Sequence, residues 1–349
     1  MPPPAAALAC AVLAILAPSA AGLRARAAAR GPGAREEAAC AQPLPASEHS
    51  SEEDPEPPVA AEALPGRRVR MPAVHGMDYL LFLPASWTPA QAAAYPVVVF
   101  LHGNGDGKFS VMASQSLPRL LGSDQSTSFD GRDCWCLPPS YAGARAKREA
   151  PPEDPRAFLD EDVATGAPLA DCDFAETFGA IAVMPQGWLP EGRRHGWDDR
   201  RLQTVQMITQ RVLRDYGGDP ARVVLTGQSM GGDGAWRFAS ARPGLWSAVN
   251  IICAPAGWKV PSLLEGVPVW LVGDESDGWR GNDRAVRELK QRRRGTVRYT
   301  RYLDAPAPPD PKYRHMLGHA SYDLIYRDPR LWEWAFAQRN PAAAVEWGF

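Results

Sequence analysis

The sequence predicts an α/β protein, built on a mainly parallel central sheet that is flanked by helices. Short, continuous apolar runs recur along the chain, as expected of strands that are buried on both faces. Amphipathic segments with helical spacing alternate with these runs. A serine between two glycines, where one apolar run meets a helical segment, indicates where chemistry would occur on such a sheet.

The strands are predicted from the apolar runs in chain order. Residues 77–83 are interpreted as an early antiparallel strand that ends at Pro84. The later runs are interpreted as core strands because their apolar character is continuous rather than alternating. They are 96–101, 180–184, 223–226, 248–253 and 267–272, and 297–302 is a further strand.

The helices are predicted from spacing and from their end signals. A small-residue helical segment covers 231–241, and Asp328 with Pro329 starts the last helix as its N-cap and first helical residue. Another helix ends at the pair Gly217 and Gly218. Its apolar residues recur at helical spacing, at Leu202, Val205, Ile208, Val212 and Tyr216.

The N-terminal part of the chain is predicted to lie outside the folded domain. Residues 1–21 contain a short apolar stretch with a small-residue site after it, which is typical of a signal peptide and too short to cross a bilayer. An arginine-bearing, acid-free tract follows, so residues 1–21 could instead be the first part of an organelle-targeting leader. Residues 22–66 are rich in Pro, Glu, Ala and Ser, which predicts a disordered linker before a domain at 67–349. We expect secretion, or delivery to an organelle through the secretory pathway.

Composition excludes several classes of partner. The formal net charge of -2 argues against nucleic acid, and no later segment is long and apolar enough for stable membrane insertion. The spacings of the six cysteines match no zinc pattern, so neither a metal nor a cofactor is predicted. Cys253, within an apolar strand, is interpreted as a small buried hydrophobe.

One region interrupts the alternation of strands and helices. Residues 122–172 are polar and rich in Pro, Gly and Asp, and they are interpreted as a lid-like insertion or as a plain surface insertion. If the chain is exported, a disulfide from Cys134 or Cys136 to Cys172 is plausible.

Ser229 is the predicted nucleophile, and it needs a base and an acid that orients the base. On a sheet of this kind the acid and the base follow the serine in chain order. Only His315 and His319 lie beyond Ser229. We choose His319, in a small-residue loop before the final helical region, and keep His315 as the alternative.

The predicted acid lies in the loop after the strand at 267–272. Asp277 is our choice, while Asp274 and Glu275 are either solvated loop charges or alternatives for the same role. The oxyanion donors are expected to be backbone amides, that of Met230 and that of Asn104 in the glycine-rich turn after the first core strand. That turn is not a phosphate loop, because no Gly-Lys-Ser/Thr follows it.

With these residues assigned, the chain resembles the α/β-hydrolase superfamily from about residue 77 to 337. It looks most like the secreted esterase branch that contains feruloyl and acetylxylan esterases, polyhydroxybutyrate-depolymerase-like proteins and prolyl-oligopeptidase-related hydrolases. The segments that carry the resemblance are 98–103, 182–187, 197–198, 219–232, 268–272, 318–319 and 326–334.

The resemblance implies Ser229 as nucleophile, His319 as base and Asp277 as acid. It implies cleavage of a carboxylic ester, on a small molecule or attached to a polysaccharide, through an acyl-enzyme. A serine peptidase or a thioesterase would use the same residues. The alternative from another class is a non-catalytic binding protein that keeps the fold, for which the twelve tryptophans would suit a sugar- or aromatic-binding surface.

Overall fold

A single sheet forms the centre of the structure, which is a computed structural model. It describes residues 62–90, 95–104, 116–122, 174–187, 196–254, 261–264, 266–277, 279–291, 296–302, 305–308 and 313–349. Within these residues eight strands form the sheet. They are β1 (Arg68–Val74), β2 (Met77–Phe82), β3 (Tyr95–Leu101), β4 (Ile181–Pro185), β5 (Gly218–Gln228), β6 (Ala248–Ile252), β7 (Val269–Asp274) and β8 (Val297–Tyr302).

The strand order is β1-β2-β4-β3-β5-β6-β7-β8. β2 pairs antiparallel with both β1 and β4, and every later pairing is parallel, which confirms the predicted mainly parallel sheet. After β3 the chain moves first to β4 on one side and then to β5 on the other. The carboxyl ends of β3 and β5 therefore flank a topological switch point, where open α/β sheets bind their ligands.

Helices cover both faces of the sheet. In the described residues they are α1 (Ser116–Leu120), α2 (Phe174–Thr177), α3 (Asp199–Tyr216), α4 (Met230–Ala241), α5 (Trp279–Gln291), α6 (Ser321–Arg327), α7 (Pro329–Ala337) and α8 (Ala343–Trp347). Alternate side chains of β3 point to opposite faces, as the period of a strand requires. Val97 and Val99 pack in a core with α3, α4, α5 and α8, whereas Val98 and Phe100 pack in a second core with α1, α2, α6 and α7.

The predicted elements agree with the structure except at a few places. β8 has the predicted bounds, and Asp328 caps α7 by accepting a hydrogen bond from the Arg330 amide. α7 is not the last helix, because α8 follows it, and β1 was not predicted at all. β5 is longer than predicted, since it begins directly after Gly217, whose φ of 69° ends α3 in the left-handed conformation.

Several predictions concern residues outside the described ranges. These are the leader at 1–21, the linker as far as residue 61, and the insertion from 123 to 172 with its three cysteines. The end of the predicted linker is described, and there the Gly66 amide donates to the Leu83 carbonyl at 2.8 Å. No helix among the described residues combines the length and the apolar composition needed to cross a bilayer.

Candidate active site

Ser229 lies in a sharp turn between β5 and α4. Its backbone has a φ of 54° and a ψ of -122°, a strained conformation for a residue other than glycine. The flanking glycines are required by close approach: a Cβ on Gly227 would lie 2.2 Å from the Gly231 carbonyl oxygen, and one on Gly231 would lie 1.9 Å from the Leu101 carbonyl oxygen. This packing holds the serine at the carboxyl edge of the sheet, beside the N-terminus of a helix.

His319 connects the serine to an acid. Its Nε2 lies 2.9 Å from Ser229 Oγ, and its Nδ1 lies 2.8 Å from Asp277 Oδ2. In this arrangement Nδ1–H donates to the carboxylate, which leaves the lone pair of Nε2 to accept the serine hydroxyl. The structure thus brings together the three side chains predicted from the sequence. His315, the alternative base, is exposed.

Asp274 lies in the same loop as Asp277 but has a different environment. It is 0% exposed, its Oδ1 accepts the Ser276 amide at 2.7 Å, and its Oδ2 accepts the Ala305 amide at 2.8 Å. Burial raises the pKa of the Asp274 carboxyl above its ordinary value, and these two amides oppose part of that change. The interpretation of Asp274 as a solvated loop charge is therefore wrong. Glu275, half-buried, faces Arg301 at 3.6 Å.

The loop that carries His319 is docked onto Asp274. The Gly318 amide donates to the Ala305 carbonyl at 2.9 Å, while the Ala305 amide donates to Asp274. Gly318 has a φ of 81°, and a Cβ there would lie 2.3 Å from Asp274 Oδ1. Asp274 therefore joins the segment that carries the acid to the segment that carries the base.

The predicted oxyanion donors belong to two segments that touch. Met230 is the first residue of α4, and Asn104 lies in the turn after β3. Gly231 approaches the carbonyl groups of Leu101 and His102 so closely that a side chain has no room there. The role of the Asn104 and Met230 amides stays a prediction.

His102 is a buried residue at this site that the sequence analysis did not select. It is 1% exposed, its Nε2 accepts the Gly187 amide at 3.0 Å, and its Nδ1 donates to the Gly103 carbonyl at 2.8 Å. Trp197 Nε1 donates to its backbone carbonyl at 3.1 Å. Burial lowers the pKa of His102 to about 4, so the ring is neutral and holds the turn after β3 in shape. The available signal was a histidine directly between a core strand and a glycine.

Solved structures, but no curated sequences, are similar to this chain. No protein-family model matches the chain, and neither does any curated protein. Among solved structures, a thermostable esterase is similar at 21% identity and a TM-score of 0.46, over 78% of this chain and 62% of that esterase. A ferulic acid esterase is similar at 13% identity and a TM-score of 0.42, over 74% of this chain and 92% of that esterase. An esterase from Thermogutta terrifontis is similar at 11% identity and a TM-score of 0.44, over 81% of this chain and 92% of that esterase.

The order of the strands, the antiparallel second strand and the serine at the turn from β5 into α4 together decide the fold. Over its described residues the chain has the α/β-hydrolase fold.

Cys253 lies next to Ser229, a position that could not be foreseen from the sequence. The register of β5 and β6 pairs Gln228 with Ile252, so the residues that follow each strand, Ser229 and Cys253, are neighbours. Cys253 is 1% exposed, as its interpretation as a buried hydrophobe predicted. Its Sγ lies 3.2 Å from the Ser229 amide nitrogen, and its own φ is 42°.

Proposed function

We propose that this chain is a serine hydrolase that cleaves a carboxylic ester through an acyl-enzyme. Ser229 is the nucleophile, His319 is the general base, and Asp277 orients and stabilises the base. The observation that carries the proposal is the His319 ring, whose two nitrogens are bonded to Ser229 Oγ at 2.9 Å and to Asp277 Oδ2 at 2.8 Å. A serine hydroxyl is a weak nucleophile until a base held in this way removes its proton.

In the first half of the reaction, Ser229 Oγ attacks the carbonyl carbon of the ester while its proton moves to His319 Nε2. The carbonyl oxygen becomes an oxyanion, for which the amides of Met230 and Asn104 are the proposed donors. The positive end of the α4 dipole adds to this stabilisation. The bond to the alcohol oxygen then breaks, and the Nε2 proton passes to the departing alkoxide.

In the second half, water attacks the acyl group on Ser229 while His319 Nε2 takes one of its protons. The new tetrahedral intermediate breaks its bond to Oγ, the carboxylic acid leaves, and the proton returns to the serine. Asp277 remains ionised throughout and stabilises the imidazolium that forms twice in each cycle.

An ester is favoured as the acyl donor by the resemblance of the motif segments to the secreted esterase branch. Thioesters and amides would pass through the same acyl-enzyme and differ only in the leaving group. A panel with one acyl group presented as ester, thioester and amide therefore tests the substrate class. We expect the highest kcat/KM on the ester; faster cleavage of the amide would assign a peptidase instead.

The nucleophile is tested with a fluorophosphonate probe and with Ser229→Ala. We expect the probe to label the wild type but not the variant. Turnover of the variant should fall on the order of 10⁶-fold. Ser240→Ala, on the same helix, is the matched control and should keep both. An unlabelled wild type that turns over no ester but binds sugars or aromatic compounds would favour the non-catalytic binding protein.

The base is tested with a matched control variant, and the acid with one substitution. His319→Ala should be as damaging as Ser229→Ala, because the two residues act as a unit, whereas His315→Ala should be mild. Asp277→Asn should lower turnover by up to about 10⁴ through the wrong imidazole tautomer. If His315→Ala were the more damaging histidine variant, the assignment of the base would be wrong.

A further inference from the structure

Three side chains with metal-ligating atoms meet at this site, which also contains Ser229. They belong to Cys253, Asp277 and His319, and one ligand atom from each lies within 4.8 Å of the other two. Cys253 follows β6, Asp277 follows β7, and His319 precedes α6. The group therefore exists only in the folded chain, where parallel strands end at one edge of the sheet. Its members are 24 and 42 residues apart in sequence, a spacing that matches no metal motif.

The donor set fits one class of cation. Thiolate sulfur, imidazole nitrogen and carboxylate oxygen are the ligand types that zinc takes in proteins, at about 2.3 Å, about 2.0–2.1 Å and about 2.0–2.2 Å. In a tetrahedral site with those bond lengths, the ligand atoms lie about 3.3–3.6 Å from one another. From separations of up to 4.8 Å, the atoms must therefore close by up to about 1.2–1.5 Å to share an ion. Asp277 and His319 lie in loops outside the strands, where such a movement leaves the sheet intact.

We propose that a thiophilic divalent cation, zinc in the first place, binds to Cys253, Asp277 and His319 and switches the site off. The ion takes one nitrogen of the His319 ring, one carboxylate oxygen of Asp277 and the sulfur of Cys253 as ligands. Cys253 releases its thiol proton to solvent, and water fills the fourth position. If the ring binds through Nδ1, its proton moves to Nε2, which then no longer accepts a proton from Ser229. If it binds through Nε2, the lone pair that acts as the base is occupied.

Binding of the ion is independent of the proposed function, whereas inhibition rests on it. Binding is tested first, by adding Co²⁺ to the metal-free full-length protein under a phosphine reductant. We expect a thiolate-to-cobalt charge-transfer band that Zn²⁺ abolishes by displacement. Cys253→Ser should lose the band and bind zinc at least about 10–100-fold more weakly, because even an outer-shell partner is worth that much.

Two further variants test cobalt binding without changing Cys253. Asp277→Asn keeps the thiol and should still weaken cobalt binding, so the test does not depend on one cysteine variant folding. His315→Ala should bind as the wild type does. A band that persists unchanged in Cys253→Ser would belong to another of the six cysteines and would overturn the proposal.

Inhibition is tested by adding zinc during ester hydrolysis, with each variant compared to its own metal-free rate. We expect wild-type turnover to fall and to recover with a chelator, and Cys253→Ser to need at least about tenfold more zinc, in line with its weaker binding. Equal sensitivity of the two proteins would contradict the proposal. If the chain hydrolyses no ester while the cobalt band still depends on Cys253, the metal site stands and the proposed function fails.

Discussion

Replacing Asp274 by asparagine should destabilise the protein by about 2–4 kcal/mol. The carboxylate accepts the amides of Ser276 and Ala305 at 2.7 and 2.8 Å and is 0% exposed. Asparagine can accept only one of them and turns its NH₂ group toward the other. One hydrogen bond to a charged group is lost, worth about 1.5–3 kcal/mol, and the buried donor left unpaired costs about 1–3 kcal/mol more. Removing a buried charge returns part of this sum, because burial has raised the pKa of Asp274.

The free energy of unfolding, measured in urea at pH 7, tests this value. Glu275→Gln is the matched control: Glu275 faces Arg301 at 3.6 Å while half-buried, and its loss should cost about 1 kcal/mol or less. Turnover of folded Asp274→Asn should also fall, by up to about 10²-fold with little change in KM, since a misplacement of about 1 Å between acid and base is enough. Wild-type stability together with wild-type turnover in Asp274→Asn would refute the structural role of Asp274 and favour a solvated loop charge.

Three further outcomes are expected. Gly318→Ala should destabilise the protein more than Gly266→Ala. Both glycines have a positive φ, but only at Gly318 would the new Cβ meet Asp274, at 2.3 Å. Equal losses of stability would contradict the docking of the base loop onto Asp274. His102 has a pKa of about 4 in the folded protein and about 6.5 in the unfolded chain. Between pH 6.5 and pH 4 the unfolded chain therefore binds a proton at His102 that the folded protein does not bind. The free energy of unfolding falls as the pH is lowered from 6.5 to 4. His102→Gln should remove up to about 3 kcal/mol of this pH dependence in urea titrations, and parallel curves for the two proteins would argue against it. A chain that starts at residue 62 should keep the melting temperature and the ester turnover of the full chain, and lost turnover would give the preceding residues a part in the site.

The sequence predicts the fold best where side chains alone carry the signal. β3 was found to within one residue, because a continuous apolar run identifies a strand buried on both faces. β8 was found with its bounds. β1 was missed because it is an edge strand with arginines at alternate positions and only partial burial. α8 was missed because it has five residues, and packing rather than pattern defines it: Trp347 Nε1 donates to the Leu245 carbonyl at 3.0 Å.

The candidate site was predicted in outline, and the remainder depends on tertiary structure. Chain order reduced the base to two histidines and the acid to three residues of one loop, but only distances distinguish His319 and Asp277 from their neighbours. The burial of Asp274 depends on the base loop that folds over it. The position of Cys253 beside Ser229 depends on strand register, which single-sequence patterns do not contain.

The long separation between the nucleophile and its base has a consequence for the newly made protein. Ser229 and His319 are 90 residues apart, and β6, β7 and β8 all lie between them in the chain. At typical synthesis rates of about 5–20 residues per second, the serine is added to the nascent chain roughly 5–20 s before the histidine. During that interval the nascent chain carries a serine with no base to activate it. Under the proposed mechanism, hydrolytic activity is therefore absent from unfinished chains and begins only when the loop after β8 has closed onto Asp274.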